Sequence, residues 1–139
     1  MTQEDKKLLL KDLSARLAYG VKCTTKSLWN GIYAIVGYKD NRFFLDCPIY
    51  DEGDDEWMIE SIVPYLRPMS SMSEEERKEY ESFIIHKDHI NAQGQEWDID
   101  CFSFGSVPRL IDWLNAHHFD YRRLIEKGLA LEAPKGMYK

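Results

Sequence analysis

The stretch Ile32-Tyr33-Ala34-Ile35-Val36-Gly37-Tyr38-Lys39-Asp40-Asn41-Arg42-Phe43-Phe44-Leu45-Asp46-Cys47 decides the fold. Ile32 to Tyr38 is rich in β-branched and aromatic residues and reads as a strand. Lys39-Asp40-Asn41 is a turn, and Arg42 to Cys47 returns as a strand with Phe43, Leu45 and Cys47 on one face. Pro48 ends it, because proline cannot donate to a central ladder. The same alternation precedes this hairpin: Val21, Cys23 and Thr25 share a face, and Asn30-Gly31 is a tight-turn signal. It resumes in Trp57-Met58-Ile59, and Ser61 to Tyr65 reads as one helical turn. Short strands joined by tight turns predict a small, curled antiparallel sheet, similar in form to an SH3-type barrel.

Helices flank the sheet. Leu9, Leu10, Leu13 and Leu17 recur at helical spacing over residues 3–17, with Leu8 beside them and charges between. Thr2 and Asp5 have the spacing of a weak capping box, and Gly20 is a stop. Pro64 and Pro68 bracket a rigid exit from the sheet. Ser73-Glu74-Glu75-Glu76 is a capping box that starts a surface helix over 74–87. Asn91 to Gln95 reads as a loop and Trp97 to Phe104 as a strand. Ser106-Val107-Pro108 starts a helix to about His117, burying Leu110, Ile111, Trp113 and Leu114. Asp120 caps a second short helix through Lys127, stopped by Gly128, and the tail from Ala130 is an irregular strap. The expectation is one α+β domain over residues 1–139, with a C-terminal helical pair.

Composition bounds the function. At 139 residues the chain is long enough to bury roughly 68% of its unfolded surface. Its 44% hydrophobic and 30% charged residues predict a folded domain, with no apolar run long enough for a membrane span. The start lacks a signal peptide's apolar stretch, so the expected location is cytoplasmic. The net charge is −6, and residues 40–100 carry seventeen acidic side chains against five basic ones. That block repels a phosphate backbone or an anionic bilayer. The two ends of the chain are net basic, and a small basic patch forms only where they meet.

No motif names a reaction. His117 and His118 with Asp112 are the residues a small hydrolytic or metal-dependent enzyme would use. Adjacent histidines diverge, however, and the i, i+4 metal pair is absent. Cys23, Cys47 and Cys101 read as buried, inert thiols, and there is no CxxC. The Asp51–Glu56 loop does not have EF-hand spacing. No catalytic residue, metal or cofactor is assigned. Trp113, His117, His118, Tyr121, Arg122 and Arg123 crowd one short span of residue types that dominate binding hot spots. They are the candidate partner-binding residues, or else a packing corner between two helices. The expected function is a non-enzymatic protein-interaction or regulatory module whose partner is another protein. The small enzyme and a nucleic-acid-binding accessory protein are the alternatives.

Three segments carry a resemblance: Leu8 to Leu17 with Tyr19-Gly20-Val21-Lys22, Pro64 to Glu76, and Ile111 to Arg122 continuing through Gly128 to Pro134. Together they resemble a family of short proteins common in gut Bacteroides-type bacteria, often encoded in phage or other mobile elements. The resemblance implies a bacterial cytoplasm and an accessory role, and brings no activity, ligand or catalytic residue. This chain departs from the family at Arg123, where glycine is expected, and at Lys135, where glutamate is expected.

Overall fold

A computed structural model describes residues 1–26, 31–46, 56–84 and 106–138. Helix α1 (Gln3–Arg16) opens the chain. Thr2 Oγ1 accepts the Asp5 N–H at 3.1 Å and the Asp5 carboxylate accepts the Thr2 N–H at 3.2 Å, so the capping box is complete. A 3-10 turn (Leu17–Tyr19) and Gly20 at φ +65° end it. Six strands follow: β1 (Lys22–Thr25), β2 (Tyr33–Lys39), β3 (Arg42–Leu45), β4 (Glu56–Met58), β5 (Ile62–Leu66) and, near the C-terminus, β6 (Leu131–Glu132). Between the last two lie α2 (Glu74–Ile84) and α3 (Ser106–Ala116). The class is α+β, as expected. The predicted loop at 91–95 and strand at 97–104 lie outside the described residues, as do Cys47, Cys101 and most of the Asp51–Glu56 loop.

The strands form one sheet in the order β4-β3-β2-β1-β5-β6. The first five pair antiparallel and β6 runs parallel to β5, so the sheet is mixed rather than purely antiparallel. It does not close into a barrel. Val21, Cys23, Thr25, Tyr33, Ile35, Phe43, Leu45, Ile62 and Leu66 are buried on one face, where Leu9 and Leu13 of α1 pack on them. A register shift between Ile35 and Gly37 makes Val36 the extra residue of a bulge. It turns Val36 outward, while Tyr38 returns to meet Phe43 with ring centroids 4.7 Å apart. Asp40 and Asn41 both take positive φ in the β2–β3 turn, a conformation that Asn and Asp tolerate best.

Two expectations are corrected. The helical turn placed at Ser61–Tyr65 is a 3-10 turn at Ile59–Ser61, and Ile62–Leu66 is a strand. Pro64 fits because Lys26 N–H donates to the Ser61 carbonyl at 2.9 Å, which sets the parity of the ladder. Cys23–Pro64 then falls on a non-hydrogen-bonded pair, so the missing N–H costs no bond to β1. The second C-terminal helix, expected over Asp120–Lys127, is a series of turns. The Asp120 carboxylate does cap, accepting the Leu124 and Ile125 N–H groups at 2.8 and 2.9 Å. Arg123 at φ +60° breaks the right-handed path, leaving room for a single turn before Gly128 at φ +72°.

Arg123 therefore occupies a left-handed position, which glycine adopts at no steric cost. The left-handed conformation costs an L-residue about 1–2 kcal/mol, partly offset by the entropy that glycine loses on folding. Arg123→Gly is expected to raise stability by roughly 0.5–1 kcal/mol, read as a higher urea midpoint at unchanged slope. A lower midpoint would show that the exposed arginine side chain holds this turn in place.

Candidate functional site

The span 113–123 starts at the end of α3. His118 N–H donates to the Asn115 carbonyl at 3.1 Å and Phe119 N–H to the Leu114 carbonyl at 3.0 Å. This pair of bonds is the Schellman motif, and His118 holds its left-handed position at φ +63°. Glycine is usual there. The hydrophobic contact that accompanies the motif is also present, with Trp113 stacked on Phe119 at 5.6 Å.

That contact is the middle of an aromatic column. His117 lies 4.3 Å from Trp113, and its Nδ1 is 2.8 Å from the Trp113 carbonyl. A carbonyl only accepts, so Nδ1 carries a proton. Tyr80 and Phe83 of α2 lie 6.3 and 6.2 Å from Trp113, whose indole N–H donates to Glu79 at 2.9 Å. On the other side the Arg67 guanidinium covers Phe119 at 4.2 Å. Arg67 also donates twice to Glu76, both at 2.7 Å. Glu76 closes the predicted capping box of α2 as well, accepting the Ser73 N–H at 3.0 Å. These bonds, the Arg67 pair first, hold the Glu76 carboxyl down at a pKa of about 2.

Tyr121 and Arg122 are turned toward α1. Asp12 and Arg16 are both fully buried, and Arg16 donates to Asp12 from Nε at 2.8 Å and Nη2 at 3.1 Å. Arg16 Nη2 also reaches the Phe119 carbonyl at 2.6 Å, and Arg122 Nη1 donates to the same Asp12 at 2.9 Å. The Tyr121 ring meets both guanidinium groups, Arg16 at 5.2 Å and Arg122 at 4.7 Å, and its hydroxyl donates to Asn115 at 2.9 Å. The basic ends of the chain thus do meet, but Arg16 and Arg122 are spent on Asp12.

Of the six candidate residues, then, Trp113, His117, Tyr121 and Arg122 are half-buried, His118 is buried and Arg123 is exposed. All but Arg123 make their polar or ring contacts within the chain. Asp112 is exposed and makes no hydrogen bond or ion pair to either histidine, so the enzyme constellation is not assembled. Among the described residues no three His, Cys, Asp or Glu side chains are placed to hold a metal ion. Cys23 is buried, and burial pushes its thiol up to about 12, which makes it a poor nucleophile.

Sequence reasoning missed Asp12, Arg16 and Arg67. A signal for the first two exists, because 9, 12, 13 and 16 follow the i, i+3, i+4, i+7 stripe that faces the core. It also missed the outer face of the sheet. Ile32, Val36 and Met58 are 57%, 63% and 53% exposed. By register Met58 lies opposite Arg42, and Phe44 lies opposite Gly37 on that same face. A side-chain carbon at Gly37 would meet the Phe44 ring at 3.8 Å, an ordinary van der Waals contact, so the ring lies over this position. No helix among the described residues is long and apolar enough to cross a membrane. No protein-family model, curated protein or solved structure matches the chain.

Proposed function

We propose that this chain is a non-enzymatic protein-interaction module of a bacterial or phage/mobile-element system. It acts in the cytoplasm and meets another protein through the outer face of β2, β3 and β4. The observation that carries the reading is the exposure of Val36 and Met58 on the face that carries Phe44, with Ile32 exposed just before β2, while the aromatics of 113–123 are turned inward. Single exposed apolar residues are ordinary, but several sharing one face with a half-buried phenyl ring make a contact surface. The strand order β5-β1-β2-β3-β4, with a 3-10 turn between β4 and β5, supports the analogy with a curled, SH3-like form.

The test is tagged capture from lysate of a bacterium carrying a close relative, with and without nuclease. The wild type and Arg123→Glu are expected to retain one protein in near-equal amount, insensitive to nuclease. The double variant Val36→Glu, Met58→Glu is expected to lose it with its thermal midpoint unchanged, because both residues are exposed. Retention by the double variant would overturn the assignment of the face. Capture that nuclease abolishes would revive the nucleic-acid reading instead.

A further inference from the structure

Two hollows meet over the Arg67–Glu76 pair, away from the sheet face described above. The larger, about 600 Å³, lies between the first turn of α2 and the C-terminal segment, with Ser73, Pro134 and Lys135 among its walls. The smaller, about 320 Å³, runs inward along Ala116, His117 and His118. Arg67, Glu76 and Tyr138 line both, so the two form one cleft of the size that holds a small molecule.

Three features set His118 apart from a packing residue. Its backbone takes a left-handed conformation that a glycine would adopt without strain. The residue is 8% exposed and its ring is stacked on Tyr138 with centroids 3.6 Å apart, yet the buried Nδ1 has no hydrogen-bond partner. A buried nitrogen left unpartnered calls for an explanation. With Nδ1 tied to nothing, no protein partner fixes the tautomer of the ring, so it can donate to a ligand or accept from one. Tyr138 has no such freedom. Its hydroxyl accepts the Lys22 N–H at 2.8 Å and donates to the Tyr65 carbonyl at 2.7 Å, which presents the phenol ring alone to the cleft.

We infer that the cleft binds a small molecule through an oxyanion, a carboxylate or a phosphoryl group, recognised by His118 inside and Lys135 at the mouth. The charges around the inner end favour an anion. Arg16 and Arg67 are paired with Asp12 and Glu76, but Lys22, whose Nζ donates to the Met137 carbonyl at 3.3 Å in the wall of the smaller hollow, has no carboxylate partner among the described residues. Glu76 lines the cleft too, but its carboxylate is committed to Arg67 and Ser73. Glu132, also in the wall of the larger hollow, is exposed on its rim. Lys135 is exposed and makes no hydrogen bond or ion pair among the described residues.

The test is a titration near neutral pH of the wild type, Lys135→Gln and His118→Asn with acetate, inorganic phosphate or chloride at matched ionic strength. The readouts are the histidine ring resonances and the thermal midpoint. Asparagine tolerates the left-handed position, so His118→Asn keeps the backbone. The wild type is expected to show a saturable shift of the His118 resonances with acetate or phosphate and none with chloride. Lys135→Gln, a surface change that leaves folding intact, is expected to bind about tenfold more weakly, the worth of one charge-assisted hydrogen bond. The anion-dependent rise in midpoint is expected to vanish in His118→Asn. A response to acetate alone assigns a carboxylate, and one to phosphate alone a phosphoryl group. No saturable shift with either anion, an equal shift with chloride, or binding unchanged in both variants would overturn the inference.

Discussion

Asp12→Ala is expected to destabilise the fold by about 3–5 kcal/mol, the range for removing one partner of a buried ion pair. The loss comes from what is left behind. Arg16 stays fully buried, with the Phe119 carbonyl as its remaining acceptor and Nη1 already unpartnered. Arg122 loses its acceptor as well, so the turn that carries Tyr121 loses one of its ties to α1. Against a total of roughly 5–15 kcal/mol for a typical domain, this change removes a large share of the stability. Replacing both partners with apolar side chains of similar volume, Asp12→Leu with Arg16→Met, is expected to recover much of the loss, because no fully buried charge remains. Urea denaturation of the three proteins checks this. A loss below about 1 kcal/mol for Asp12→Ala would place the pair among those of surface strength. For the same reason, a binding defect on changing Arg122 reports damage to this corner rather than a lost partner contact.

The elements that were legible in the sequence are those whose burial is local and periodic. Val21, Cys23 and Thr25 alternate into the core, as do Phe43 and Leu45, and the Thr2 and Ser73 capping boxes form with the predicted partners. Misreadings arose where tertiary pairing overrides a local signal. Pro64 suggests a break, yet it sits at the one kind of ladder position that does not need its N–H. Asp120 and Gly128 mark helix ends, but Arg123 between them is left-handed, and no propensity scale reports the φ of one residue. The span 113–123 is ambiguous for a different reason. Aromatic rings and arginines serve an interface and a packed corner equally well, and the choice turns on long-range partners. Arg67 lies about fifty residues from Phe119 and Asp12 about a hundred from Arg122. Neither separation leaves a periodic trace.

His118 is expected to make the fold sensitive to mild acid. Burial first, then the positive charges of Arg16, Arg67, His117 and Lys22, lower its pKa from 6.5 to about 4. In the unfolded chain the imidazole takes up its proton near pH 6.5. The folded protein does not follow until about pH 4. Between those values the unfolded state holds more protons, so stability falls as pH drops through the window and levels off for this group below it. The shift corresponds to at most about 3 kcal/mol over the window. Glu76 acts in a separate range. With its folded pKa near 2 against 4.5 unfolded, its contribution is present above pH 4.5 and is lost only as pH falls toward 2. The ring of Tyr138 covers His118, so a protonated imidazole at this site has no water on that side to take the charge. Urea midpoints measured at steps from neutral pH to pH 4 are expected to fall for the wild type and to stay nearly level for His118→Asn, which has nothing to titrate there. Parallel profiles for the two proteins would mean that His118 takes up its proton in the folded state as easily as in the unfolded one.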